Sequence, residues 1–259
     1  MSDAVTVTHE SAVSTVTLNV PPFNVLDIDT IDALVKAHQE ADANPDTKVM
    51  LTRSAIDGMF CNGLNPLFVL ERDDAGRGDV FRAVGRLCKA LYQLTKPHIA
   101  VINGPAMAGG AVLAILADYR YFDQDRARIS FAEAKVGLPI PAALQRIIGA
   151  VAQPASLRNI ILLGQTLDAR QACDAGLADG LAPATELDAL VDKQIQRFAR
   201  LSLAVTRANK AALRADVLAS VEAMASGDTS QELAGFVGND FLGEGLQAFM
   251  EGRHPVFKK

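Results

Sequence analysis

Residues 4–20, AVTVTHESAVSTVTLNV, alternate apolar and polar positions and break near His9–Ser11. A period of two predicts a β-hairpin. After the stiff connector PPFNVLD the period changes. Ile28, Ile31, Leu34, Val35 and Ala41 recur at helical spacing, and Asp27 is placed to cap that helix. KVMLTRS (48–54) reads as a buried strand and AIDGMFCNGLNP (55–66) as a loop. RDDAGRGD (72–79) is charged and glycine-rich, which predicts a mobile stretch ahead of a helix from about Asp79 to Leu94. KPHIAVING (96–104) reads as a Pro-bounded buried strand ending in a turn, and YRYFD (119–123) and ARISF (127–131) as short strands. From Ala142 the pattern is almost entirely helical, over 143–151, 155–164, 168–176 and two long helices from about Thr185 to Ala225. One short strand is expected in LADGLA (177–182), and a final helix with an extended end in the tail from Asn239. The whole reads as an α/β chain, strand–strand–helix first and helical last.

Composition narrows the function classes. The 259 residues are 49% hydrophobic and 21% charged, with a net charge of −5. That supports a sizeable core and argues against nucleic acid or an anionic membrane as partner. Cys61, Cys88 and Cys173 are far apart and form no CxxC or Cys/His cluster, so no metal is expected and a reducing, cytoplasmic setting is. No apolar run reaches the roughly 18 residues that a membrane helix needs, so no membrane insertion is expected. GxGxxG, GKS/T, GxSxG and HExxH are all missing from the sequence. The histidines are isolated. His38 sits in a polar helical stretch and is expected to face solvent, and His98, at a strand start, is expected to be structural.

The chemistry concentrates in NGPAMAGGAVLAILAD (103–118), where a turn becomes an apolar helix with Gly109 and Gly110 at the join. A helix start presents unpaired N–H groups, and glycine lets a ligand approach them closely. Such a turn suits an oxygen bearing negative charge, a phosphate or a thioester oxygen becoming an enolate. It also suits plain close packing of the helix on a neighbour. GMFCNGLNP offers a second donor loop, in which the N–H of Leu64 could face Gly109.

These segments resemble the crotonase (enoyl-CoA hydratase/isomerase) superfamily over nearly the whole chain. The resemblance is carried by KPHIAVINGPAMAGGAVLAILADYRYFDQDRARISFAEAKVGLPIP, by MFCNGLNPL and by LLGQTLDARQACDAGLADGLAP. It implies a spiral of ββα units over residues 1–184 and a helical trimerisation region over 185–259, hence a homotrimer or a dimer of trimers. It implies an acyl-CoA thioester as substrate, with coenzyme A part of that substrate and no separate cofactor. The implied oxyanion donors are the N–H groups of Leu64 and Gly109. Asn24, Leu26, Asn62, Gly63, Asn65, Pro66, Gly110, Val112, Ala132 and Leu138 are the implied substrate-binding positions.

Hydratases of the superfamily use two glutamates. The position of the first, three residues past the donor glycine, holds Val112, and the position of the second, in FAEAKVG, holds Glu133. One carboxylate suffices to move a double bond from the 3- to the 2-position, and apolar neighbours such as Phe131 and Val136 should raise its pKa. PPFNVLDIDTIDAL, AGGAVLAILADYR and FVGNDFLGEGLQAFME are more similar to the 3,2-trans-enoyl-CoA isomerase type than to hydratases. The sequence departs from the common pattern in Asn65, usually Asp, and in Ala132, and it has no lysine near Pro66 to meet CoA phosphates, which leaves Arg53, or Lys258 and Lys259 from a neighbouring subunit, as the candidates for that contact. Two other readings remain open on the sequence: another reaction of the superfamily, hydration or decarboxylation of an acyl thioester, and a silent acyl-CoA-binding trimer.

Overall fold

The computed structural model describes residues 4–226, Phe236 and 240–257. Its spine is a six-stranded sheet in the order β1-β2-β4-β6-β8-β11. The hairpin β1 (Val5–Glu10) and β2 (Val13–Leu18) is antiparallel. From β2 onward, β4 (Val49–Ser54), β6 (His98–Ile102), β8 (Tyr119–Asp123) and β11 (Gly180–Ala182) run parallel. Both faces are covered, which explains the unbroken apolar run of β6. Val49, Leu51, Ile99, Val101 and Tyr121 pack against Leu187 and Val191 of α8 (Ala184–Ala199) on one face. Met50, Ala100, Ile102 and Phe122 point the other way, into the main core with α1 (Ile28–Ala43) and α3 (Asp74–Tyr92).

Two smaller sheets lie beyond the spine. One has the order β10-β9-β7, formed by Leu167–Asp168, Arg128–Ser130 and Pro105–Met107. The other pairs β3 (Val25–Leu26) with β5 (Gly63–Leu64) in parallel. The short β3, β5, β7 and β10 lie in stretches whose residues carry no alternation, and the helix α2 (Pro66–Leu70) was likewise not expected.

Side-chain caps open α1 and α3. The Asp27 side chain accepts from the Thr30 N–H and opens α1 as expected. The charged stretch 72–79 differs from its expectation. It is helical from Asp74, because the Asp73 carboxylate accepts from the Gly76 N–H and caps the first turn.

His38 also differs from its expectation. It is fully buried, donating from Nδ1 to the Leu34 carbonyl and meeting Thr52 Oγ1 through Nε2. The signal was present in sequence, since His38 falls on the same helical stripe as Ile31, Leu34 and Ala41. Thr52 Oγ1 also lies 2.7 Å from His98 Nε2. With Nδ1–H of His38 committed to a carbonyl, its Nε2 accepts from Thr52, and Thr52 then accepts from His98. Burial lowers the pKa of His38 to about 4 and holds His98 well below its ordinary value. Both rings are neutral and structural.

The long helix α9 (Leu203–Ser226) is anchored by charge rather than by an apolar stripe. Its buried residues are Lys210, Arg214, Val221 and Met224. Asp118, immediately before β8, receives Lys210 Nζ at 2.6 Å, an Arg214 guanidinium N–H at 2.7 Å and the His98 N–H at 2.8 Å. Arg214 also donates to the carbonyls of Leu91, Tyr92 and Leu116, closing the ends of α3 and of α4 (Gly109–Ile115). Desolvation lowers Lys210 to about 8, so the pair is still charged at neutral pH. Asp118→Asn keeps the shape and leaves two buried cations uncompensated, which should cost about 3–5 kcal/mol. Urea unfolding reads this as a lower midpoint at unchanged slope.

Candidate active site

Four chain segments run side by side and end level with one another. The N–H of Asn62 donates to the Phe23 carbonyl, and β3 pairs Leu26 with Leu64. Cys61 bridges Ala106 in parallel, and β7 pairs Ala106 with Ile129. Three residues beyond the aligned set Cys61, Ala106 and Ile129 stand Leu64, Gly109 and Ala132, and Glu133 follows. Segments far apart in sequence therefore end on one side, because parallel strands share the direction of their carboxyl ends.

The contact between the two predicted donor loops is backbone to backbone. A Cβ on Gly109 would stand 3.3 Å from Gly63 Cα and 3.5 Å from the Leu64 nitrogen. A Cβ on Gly110 would overlap the Cys61 carbonyl oxygen, so only glycine permits this approach. Ala108, which precedes α4, has no side chain able to cap it and is held at φ +46°. The Gly109 N–H sits in the first turn, where N–H groups have no partner within the helix.

The remaining predicted positions sort by burial. Asn65 caps α2, accepting from the N–H groups of Leu67 and Phe68, with Pro66 in the first turn. An amide fills the capping role as well as a carboxylate would, which accounts for the departure from the common pattern at this position. Asn24 is fully buried and Leu26 is 1% exposed. Asn62 and Ala132 are half-buried. Val112 is 2% exposed and packs in the main core, within a helix whose sequence, GGAVLAI, holds no titratable side chain.

Glu133 lies in the first turn of a 3₁₀ helix (Ala132–Val136) that closes at Gly137 in the left-handed conformation. Its Oε2 is buried and has no hydrogen-bond partner. Burial is the main cause that raises its pKa to about 7, partly opposed by a hydrogen bond from its own backbone. Cys61 stands in the neighbouring loop, but burial pushes its thiol up to about 12 and the thiol donates to the Asn24 carbonyl. It is no nucleophile at neutral pH. Among the described residues no group of His, Cys, Asp and Glu has the makings of a metal site.

An apolar patch adjoins these groups. Leu64, Phe68, Val69, Val80, Val136 and Leu138 pack together with Leu242 of the final helix (Asp240–Met250). The final helix comes so close to the glutamate's turn that a Cβ on Gly245 would overlap the Val136 backbone. Sequence reasoning found Leu64 and Leu138 but missed Val69, Val80 and Leu242. The apolar spacing of Leu242 and Leu246 was legible, but not where that helix would fold back. Lys258 and Lys259, which the sequence offers as phosphate contacts, lie outside the described residues. Arg53, another such candidate, is paired with Asp188.

Residues 8–259 match the family model described as enoyl-CoA hydratase/isomerase. An enoyl-CoA isomerase/hydratase of Mycosarcoma maydis is 30% identical over 231 residues, 86% of this chain and 80% of that one. The crystal structure of an enoyl-CoA hydratase from Mycobacterium avium subsp. paratuberculosis superposes with a TM-score of 0.84 at 26% identity, covering 99% of both chains. That of human mitochondrial delta3-delta2-enoyl-CoA isomerase gives 0.90 at 22% identity, covering 96% of this chain and 97% of that chain. Hydratases and isomerases thus share this fold.

The raised pKa of Glu133 has a consequence for stability. A carboxyl whose folded pKa exceeds its unfolded value stabilises the fold below the unfolded pKa, and that contribution is lost as pH rises through the folded one. A rise from 4.5 to about 7 corresponds to roughly 3 kcal/mol. Glu133→Gln should melt higher than the wild type at about pH 8, and the gap should close by about pH 5, read by differential scanning calorimetry across that range.

Proposed function

The chain belongs to the enoyl-CoA hydratase/isomerase family, and from that premise we propose that it moves the double bond of a 3-enoyl-CoA to the 2-position. The observation that carries this reading is the lone carboxylate among the candidate site residues. Glu133 has an unpartnered oxygen and a pKa raised to about 7, and Val112 stands where a second glutamate would be needed to activate water.

The thioester carbonyl oxygen lies between the N–H groups of Leu64 and Gly109. Glu133 removes a proton from C2, and the electron pair moves through the carbonyl to give a dienolate, whose oxygen the two donors hold. The protonated Glu133 then returns the proton at C4, the C2–C3 double bond forms and the carbonyl is restored. No atom is gained or lost and no cofactor takes part. A pKa near neutrality suits a group that must both take and give the proton. The partly exposed side chains that pack in the apolar patch, Leu64, Phe68 and Val136, accept the acyl chain. Assembly as a homotrimer or dimer of trimers is part of the same proposal, supported by apolar side chains left exposed at Leu201, Val205 and Leu213.

Assays with cis- and trans-3-enoyl-CoA and with 2-enoyl-CoA, products identified, test the reading. The wild type should isomerise the first two and hydrate the third poorly, and kcat/KM should rise with pH through about 7 as Glu133 ionises. Glu133→Gln should lose about 10³-fold in kcat while still binding acyl-CoA. Hydration as the dominant wild-type activity, or near-normal turnover in Glu133→Gln, would sink the proposal. Val112→Glu supplies the missing carboxylate at a nearly sealed position. It should gain weak hydration of crotonyl-CoA and melt at a lower temperature, and adding Glu133→Gln should abolish the gain.

A further inference from the structure

Asn24 was expected to bind substrate, yet it is 0% exposed and its amide is committed to the protein. Its Oδ1 accepts from the Val20 N–H at 2.7 Å. Its two Nδ2 hydrogens go to Ser54 Oγ at 2.7 Å and to the Phe60 carbonyl at 2.8 Å. A carboxamide has two N–H donors, so no donor is left for a ligand. The backbone of Asn24 is engaged as well. Its N–H donates to the Val20 carbonyl, and its carbonyl accepts from the Cys61 thiol at 3.1 Å. The φ of +50° is a conformation that asparagine tolerates better than most side chains.

Every one of these long-range contacts lands on the strand end or the loop leading to Leu64. Ser54 closes β4 and also accepts from the Ile56 N–H. Phe60 and Cys61 are the residues that hold the loop to Pro105, through N–H donation at 3.2 and 3.0 Å. The neighbours of Asn24 continue the tie: the Phe23 carbonyl accepts from Asn62, and the Leu26 carbonyl accepts from Asn65. The short segment Phe23–Leu26 is therefore the template against which Cys61–Asn65 is laid, and Asn24 is its pin.

We infer that Asn24 is a positioning residue for the oxyanion hole: its amide fixes the Phe60 carbonyl and so sets the aim of the Leu64 N–H at the thioester oxygen. The inference rests on the proposed thioester chemistry. A misaimed donor weakens enolate stabilisation far more than ground-state binding, since it acts where charge develops.

Asn24→Gly removes the pin without straining the backbone at positive φ. Two readouts separate aim from folding. One is the split of kcat and KM per folded molecule for 3-enoyl-CoA. The other is the red shift in absorbance of a bound 2,4-dienoyl-CoA, which reports polarisation of the thioester carbonyl by its donors. The expected result is a folded variant with KM within about threefold of wild type, kcat lower by about 10²-fold and the red shift lost. A folded Asn24→Gly with wild-type kcat and red shift would overturn the inference. If Asn24→Gly does not fold, Ser54→Ala decides, since it frees one of the two amide contacts. It should lower kcat severalfold and shrink the red shift at unchanged KM, and wild-type values of both would confine Asn24 to folding. A wild type that red-shifts the dienoyl thioester but does not isomerise refutes the reaction and leaves the inference standing. A wild type that does neither refutes both.

Discussion

The site depends on a backbone-to-backbone approach that leaves no room for a side chain. The turn at Gly109–Gly110 presses on the loop Cys61–Leu64 so closely that a methyl group at Gly110 would overlap the Cys61 carbonyl. Larger residues in either loop would force the main chains away from each other. This also explains why the helix that follows is built of GGAVLAI. It is packed in the core on nearly all sides and holds no titratable side chain, so in the proposed reaction it contributes only its first N–H.

The electrostatics of the candidate site follow from the same economy of polar groups. Near the donor loops the thiol of Cys61 is held neutral by burial, and Glu133 brings one carboxyl whose charge is disfavoured by that same burial. In such surroundings an isolated charge is costly, and a group close to balance between its two forms can exchange a proton with little penalty in either direction. A second carboxylate would change both the pKa and the chemistry, and at Val112 the chain has none.

The charged groups that are fully compensated lie elsewhere. Asp118 gathers Lys210, Arg214 and the His98 N–H, while the Arg120 guanidinium donates to Asp179 and to the carbonyls of Leu177 and Ala117. These contacts tie α9 and the β8–β11 edge to the ends of α3 and α4. The helix whose first turn offers the Gly109 N–H is thus closed at its far end by Arg214.

Periodicity in the sequence determined the elements with strong local signals: the β1–β2 hairpin, α1 with its Asp27 cap, β4, β6 and the helical second half. Particular residues pointed to the donor turn and to Glu133 through a family resemblance. Their bland local patterns hid β3, β5, β7 and β10, because two- and three-residue strands are fixed by their partners and not by their own alternation. The buried place of His38 was legible in its helical stripe but was outweighed by its polar neighbours. What only the tertiary structure decided is alignment. Nothing local to Asn24, Leu64, Gly109 or Glu133 says that parallel pairing will bring their segments level, or that the Leu242 helix will fold onto the glutamate's turn. Those are long-range contacts, and each depends on where other stretches of the chain have already packed.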